Sequence, residues 1–212
     1  MKRKNIILTS LLFIIFGIYT FIIKTVGVKA IGPKNSKIGL ASINGWVRDV
    51  IGNNMTIYKI TELLGYGLLL IVAVFGVIGL IQLIKRKSLF KVDREIISLG
   101  VLYACMLVIY VLFEKVIINY RPILIDKVLE ASYPSSHTVL SMCVGISFLM
   151  VSNKYFGKYS KYLNILVTIL LTLVLTGRII SGVHWITDIV GGIIISLALI
   201  SLFKTIKDAK NK

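Results

Sequence analysis

An all-α, polytopic bundle of six transmembrane helices with one interfacial amphipathic helix is the fold class this 212-residue sequence predicts. Three observations carry the prediction. Hydrophobic residues make up 57% of the chain and the mean hydropathy is +0.89, beyond what a soluble domain tolerates. The apolar residues gather into six runs, each bounded by charge or by Gly, Pro and Asn. The 25 basic residues sit between those runs rather than on one soluble face, which suits anchoring to anionic lipid and argues against a nucleic-acid partner. A chain of this length has room for one membrane domain, spanning 1–212.

The first run, Asn5 to Ile23, follows Lys2-Arg3-Lys4. It exceeds the ~7 to 15 apolar residues of a secretory signal core, so a retained helix is expected rather than cleavage near Val28 and Ala30. From Gly39 to Ile51, apolar Leu40, Ile43, Trp46, Val47, Val50 and Ile51 recur at spacings of three and four among Ser42, Asn44, Arg48 and Asp49. This is an amphipathic helix, lying either in the membrane interface or over the mouth of the bundle. The second run (Leu63 to Ile84), the third (Ile96 to Ile118) and the sixth (Ile186 to Phe203) approach the ~20 residues that cross a ~30 Å hydrocarbon core. The fourth (Thr138 to Ser152) and fifth (Leu163 to Thr176) are shorter and must borrow flanking residues. With both termini inside, 15 Lys and Arg fall on the inner side and 10 on the outer, which orients the termini toward the cytoplasm. Cys105 and Cys143 lie within apolar runs and act as small hydrophobes.

Polar residues in such a chain need a reason, because ionisable groups at membrane depth cost free energy. The two histidines of the sequence each sit in a polar cluster, Pro134-Ser135-Ser136-His137 and Arg178 with His184 and Asp188, and Lys115 and Arg121-Pro122 lie just upstream. The topology expected above puts all three clusters on the outer side, in loops that can converge. Hydrolysis of a phosphate ester without a metal needs cations for the equatorial oxygens, a nucleophile, and an acid for the leaving group. Lys115, Arg121 and Arg178 are three cations, two of them guanidinium forks suited to phosphate. Pro122 turns Arg121 out of the helical region, so the third helix is expected to end there. Ser135 and Ser136 precede the fourth helix, where free backbone N–H groups form an anion site. His184 and Asp188 are four apart, on one helical face, which lets the carboxylate hold one imidazole nitrogen while the other faces an electrophile. His137 remains for the general acid. Singly, each residue has a plainer use as a snorkelling lysine, interface anchor, helix cap or satisfied histidine. Jointly they do not.

At these residues the chain resembles the type 2 phosphatidic acid phosphatase superfamily of membrane lipid phosphatases, whose signature reads Lys-x6-Arg-Pro, Pro-Ser-Gly-His, and Ser-Arg-x5-His-x3-Asp. Here the first part is Lys115-x5-Arg121-Pro122, one residue short; Ser136 stands in the glycine place and Gly177 in the serine place. The signature region runs from Lys115 to Asp188. The resemblance implies a six-helix bundle and metal- and cofactor-independent dephosphorylation. It further implies His184 as nucleophile through a phosphohistidine, Asp188 orienting it, His137 as acid, and Lys115, Arg121, Ser135 and Arg178 around the phosphate, to which Ser136, in the glycine place, is expected to add a hydroxyl contact. One missing spacer residue rotates a helical side chain by roughly 100°, so Lys115 is the residue whose register is least secured.

The function expected is therefore hydrolysis of a lipid phosphate or diphosphate in the outer leaflet of the plasma membrane, with membrane lipids as the surroundings. Undecaprenyl diphosphate is preferred by family analogy, and phosphatidylglycerophosphate and phosphatidic acid are alternatives. Two other classes compete: an anion transporter, against which stands the lack of internal repeats and broken helices, and a non-catalytic lipid-binding protein, against which stands the intact His137, His184 and Asp188.

Overall fold

The computed structural model describes residues 2–209. Of the basic residues counted toward the inner side, Lys210 and Lys212 lie outside them. Six long helices form the bundle: α1 (Lys2–Thr25), α3 (Met55–Arg86), α4 (Arg94–Lys115), α5 (Ser136–Phe156), α6 (Ser160–Ile180) and α7 (Ile186–Lys207). The short α2 (Ala41–Ile51) and a two-stranded antiparallel hairpin, β1 (Lys29–Ala30) with β2 (Lys37–Ile38), join α1 to α3. Among the described residues, five helical runs are long and apolar enough to cross a membrane. The run over Ser136–Ile180 is 45 residues long and doubles back at Gly157 into α5 and α6. The chain is a multi-pass membrane protein.

The two short runs did borrow from their flanks: both α5 and α6 reach 21 residues, about 32 Å of helix. α3 is longer than its apolar run, 32 residues, because Met55 to Glu62 continue the helix past the hydrocarbon core, started by the Asn54 side chain accepting from Ile57 N at 3.0 Å. α4 stops at Lys115, six residues before Arg121, so Pro122 does not mark the helix end as the sequence suggested. The intervening segment hydrogen-bonds back on itself, with bridges Tyr120 to Ala131 and Ile125 to Val128.

α7 is the central helix, packed against α1, α4 and α5. Its buried side carries Ile195, Ala198, Leu199 and Phe203, and Thr9 of α1 meets Ser201 across 2.8 Å. Phe16 of α1, Phe113 of α4 and Tyr133 form a three-ring cluster with centroids 5.5 to 6.1 Å apart, and the Tyr133 hydroxyl meets Thr20 Oγ1 at 2.7 Å. This cluster pins the α4–α5 segment onto the bundle end. At the opposite end Asp93 takes hydrogen bonds from Arg86, Gln82 and Tyr155, fastening α3, α4 and α5 together.

α2 lies over the bundle end by its polar side. Asn44 Nδ2 donates to Thr187 Oγ1 at 3.0 Å and to Gly39 O at 2.8 Å, whereas Ile43, Trp46 and Val50 are exposed. The apolar stripe therefore faces outward, the arrangement of an interfacial helix, while the helix also caps the bundle.

Candidate active site

The starts of α5 and α7 and the ends of α4 and α6 meet at one end of the bundle, which brings the three polar clusters together. Ser135 N donates to Asp188 O at 3.1 Å, and Asn54 N to Ser181 O at 2.9 Å, so the α4–α5, α6–α7 and α2–α3 connections are bonded to each other.

His184 sits in the five-residue link before α7 and is buried. Its Nδ1 lies 3.1 Å from the Ser132 carbonyl oxygen and 3.2 Å from Ser132 Oγ. A carbonyl accepts only, so this contact assigns the proton to Nδ1 and leaves Nε2 as the acceptor. Nε2 lies 3.4 Å from Arg121 Nη1. Burial, and then the charges of Arg121 and Arg178, hold the His184 imidazole well below its ordinary titration range, so it is neutral at physiological pH.

Asp188, in the first turn of α7, is fully buried. It accepts from Trp185 N at 3.0 Å, closing the helix start, from Asn119 Nδ2 at 3.0 Å, and from the Ser132 hydroxyl. Its distance to His184 Nδ1 is 3.9 Å, too long for a hydrogen bond. The expected direct carboxylate–imidazole bond is thus replaced by a relay: the Ser132 backbone holds the ring, and Asp188 holds Ser132. The four-residue spacing does put both groups on one side, but His184 precedes the helix, where its ring swings toward the α4–α5 segment.

Arg121 is buried, with its backbone N donating to Glu130 O at 3.0 Å and its Nε 2.9 Å from Glu130 Oε2. Arg178 is fully buried in the last turn of α6, and its three side-chain nitrogens have no hydrogen-bond partner among the described residues. Its guanidinium lies over the Tyr58 ring at 4.8 Å from the centroid, and that of Arg121 over the same ring at 5.9 Å. Buried, unpartnered guanidinium donors are unusual and point to a site that receives an anion.

His137 is in the first turn of α5, and its buried Nδ1 has no hydrogen-bond partner among the described residues. His137, Ser136, His184 and Arg121 line one cleft of about 520 Å³ that continues between α3 and α4 past Leu69, Val72, Met106 and Leu107. Ser135 is at the helix N-cap but its hydroxyl does not cap; it accepts from Thr138 Oγ1 at 3.0 Å, and the residue lies behind the cleft wall. Ser136 is not before the helix but its first residue.

Lys115 does not join the others. It ends α4 exposed to the outside, while its neighbour Glu114 lines the cleft. Because α4 ends at Lys115 and the spacer to Arg121 is not helical, the one-residue deficit does not act as the helical rotation expected of it.

Asn119, Ser132, Tyr58 and Glu62 contribute to the site without having been singled out in the sequence. Asn119 and Ser132 are ordinary loop residues there, and their meeting with Asp188 depends on a fold-back that carries no sequence signal. Tyr58, Thr61 and Glu62, just ahead of the second apolar run, and Gly65 at its start recur at helical spacing, and a glutamate so placed was a legible hint.

A family model described as the PAP2 superfamily matches residues 67–212. Phosphatidylglycerophosphatase B of Bacillus subtilis (strain 168) is 30% identical over 94 residues, 43% of this chain and 45% of that protein, so the match spans less than half the relative's length. Among solved structures, a transmembrane PAP2 type phosphatidylglycerolphosphate phosphatase from Bacillus subtilis superposes with a TM-score of 0.60 at 18% identity, covering 92% of this chain and 94% of that one. At that identity the likeness shows the fold alone.

Proposed function

We propose, from the premise that this chain belongs to the PAP2 superfamily and is a phosphoric ester hydrolase, that it dephosphorylates a membrane lipid through a phosphohistidine on His184. The observation that carries this reading is the fixed imidazole: Nδ1 faces the Ser132 carbonyl at 3.1 Å and Nε2 faces the Arg121 guanidinium at 3.4 Å. An anion drawn to Arg121 meets the Nε2 lone pair.

In the first step Nε2 attacks phosphorus, the bond to the lipid oxygen breaks, and His137 passes a proton to that oxygen. Arg121 and Arg178, with the backbone N–H of Ser136 opening α5, take the charge of the equatorial oxygens. In the second step water attacks the phosphohistidine, His137 takes its proton, the P–N bond breaks, and phosphate leaves. Asp188, through Ser132, supplies the negative charge that balances the imidazole as it gains positive charge. Lys115 has no part in this scheme.

The cleft supports a lipid rather than a soluble ester. Its polar end holds the histidines and Arg121, and its other end runs between α3 and α4 among apolar residues, with Leu69 and Leu107 half exposed toward the surrounding bilayer. An acyl or prenyl tail fits that run while the phosphate reaches the site. Phosphatidylglycerophosphate is the preferred substrate, on the strength of the relative's name. The second reading is undecaprenyl diphosphate. It rests on the Lys/Arg bias, which favours both termini in the cytoplasm and with them a cleft on the extracytoplasmic side of the plasma membrane.

The test is phosphate release by purified protein in detergent with EDTA, across phosphatidylglycerophosphate, phosphatidic acid and undecaprenyl diphosphate. Turnover is expected to survive EDTA, to disappear in His184→Ala, and to be blocked by vanadate, which mimics five-coordinate phosphorus. An acid-labile, base-stable labelled protein should form with radiolabelled substrate. Undiminished turnover in His184→Ala removes the nucleophile, and the rank order across the panel decides between the two lipid classes.

A further inference from the structure

We propose that Tyr58 is a positioning residue of the phosphate site: its ring is the shared aromatic partner that holds the guanidiniums of Arg121 and Arg178, and Gly177 is the close-approach point that brings it there. The inference rests on the phosphate-site reading above and extends it to residues outside the signature.

Two buried cations of like charge need something to keep them in one place. Arg121 has Glu130 at 2.9 Å. Arg178 has no hydrogen-bonding neighbour among the described residues, and what faces its guanidinium is the Tyr58 ring at 4.8 Å, with Glu62 near enough to act on it electrostatically. An aromatic face attracts a cation through its quadrupole without consuming any N–H donor, so all the guanidinium donors stay available to phosphate oxygens. A carboxylate bonded to Arg178 would hold it equally well and would compete with the substrate.

The ring's position depends on α3 and α6 approaching closely. Tyr58 lies on the first turn of α3, anchored by its N–H to Asn54 O at 3.1 Å, and Thr61 Oγ1 donates to Tyr58 O at 2.7 Å. A Cβ added at Gly177, the residue before Arg178, would collide with Thr61 Cγ2 and come within 3.6 Å of Ile57 Cγ2. Position 177 is where the superfamily signature has serine. In this chain glycine lets α3 lie against the last turn of α6, and Tyr58 follows, one turn before Thr61, onto Arg178. The departure from the signature and the aromatic face are parts of one arrangement.

Tyr58 also packs with Ile125 and Val183, so a simple deletion would mix packing with charge. Fluorination separates them, because it weakens the ring's quadrupole with little change in size. Position 58 of the full chain is to be occupied by phenylalanine and its mono-, di- and trifluorinated forms, with vanadate inhibition and kcat/KM measured in detergent. Relative to Tyr58→Phe, the vanadate inhibition constant is expected to rise stepwise with fluorine number, reaching about tenfold, as the loss of two cation–π contacts at the lower end of their usual strength would give. In parallel, Gly177→Ala is expected to raise the same constant, and Thr61→Ala in the Gly177→Ala background to restore it by removing the colliding methyl. Turnover with a flat fluorination series overturns the role of Tyr58 alone. A wild-type protein that neither releases phosphate nor responds to vanadate overturns the phosphate-site reading, and this inference with it.

Discussion

Replacing Asp188 by asparagine separates two accounts of how the nucleophile is held. In a direct carboxylate–imidazole pair, the carboxylate fixes the tautomer, and its loss is as damaging as loss of the histidine. Here the Ser132 carbonyl, at 3.1 Å from Nδ1, fixes the tautomer on its own, and Asp188 acts by charge from 3.9 Å. At an effective dielectric of about 20, a full charge pair at that distance is worth about 4 kcal/mol. With roughly half a charge developed on the ring in the transition state, the loss is about 2 kcal/mol, or about 30-fold in kcat. Stability falls as well. The buried carboxylate accepts from Trp185 N, Asn119 Nδ2 and the Ser132 hydroxyl, and an amide must turn a donor toward one of these donors, at a cost of about 1–3 kcal/mol. The assay is phosphate release at saturating lipid substrate on monodisperse Asp188→Asn, beside His184→Ala and the wild type. A loss equal to that of His184→Ala would show that the carboxylate sets the tautomer after all. A loss under threefold would remove its charge from the mechanism.

Two further outcomes test other parts of the site. A methyl at Gly65→Ala would stand 3.2 Å from His137 Cδ2 and 3.3 Å from its Nε2, displacing the ring by a few tenths of an ångström. About a tenfold fall in turnover of a lipid phosphate is expected, with p-nitrophenyl phosphate affected less than twofold because its leaving oxygen needs no proton; equal losses on both substrates would take the acid role away from His137. The His184 ring, buried and facing two guanidiniums, is expected to show no NMR titration as pH falls through about 6.5, the ordinary histidine value. The unfolded chain takes up a proton there that the folded chain refuses, so this group's contribution to stability drops as pH drops through that value. A normal titration of His184 near 6.5 would contradict its burial between Arg121 and Arg178.

The six helices were legible because each is announced by hydropathy over most of its length, and the residues of the cleft were legible where chemistry and spacing coincide. Arg121, Arg178, His137, His184 and Asp188 each have a plainer use alone, and it is their joint spacing that marked a candidate site. Helix ends were less legible. Pro122 restricts Arg121 but says nothing about where the preceding helix stops, and α4 stops at Lys115, before the proline has any influence. α3 starts eight residues ahead of its apolar run because Asn54 caps it, and those two turns carry Tyr58 and Glu62 into the site. The relay through Ser132 was illegible for a different reason. It depends on the α4–α5 segment folding back so that Ser132 N donates to Asn119 O at 2.9 Å, a long-range pairing of residues common in any loop.

Arg178 shows how stability and function are balanced at this end of the bundle. A fully buried guanidinium without hydrogen bonds opposes folding, since its donors give up water and gain only a ring face. The surrounding structure over-determines its position. α6 is packed along α5, Ser181 O is bonded to Asn54 N, and Gly177 brings α3 against the same turn. An anion that binds the folded chain and not the unfolded one repays part of that cost in proportion to its concentration over its dissociation constant. The transition state gains most, because charge spreads onto equatorial oxygens where the unspent N–H donors of Arg178 already wait, with no existing hydrogen bond of Arg178 to break. Lys115, on a flexible exposed stem outside the cleft, could offer only charge. The pair of guanidiniums offers charge and fixed direction together, so the proposed scheme asks nothing of a third cation.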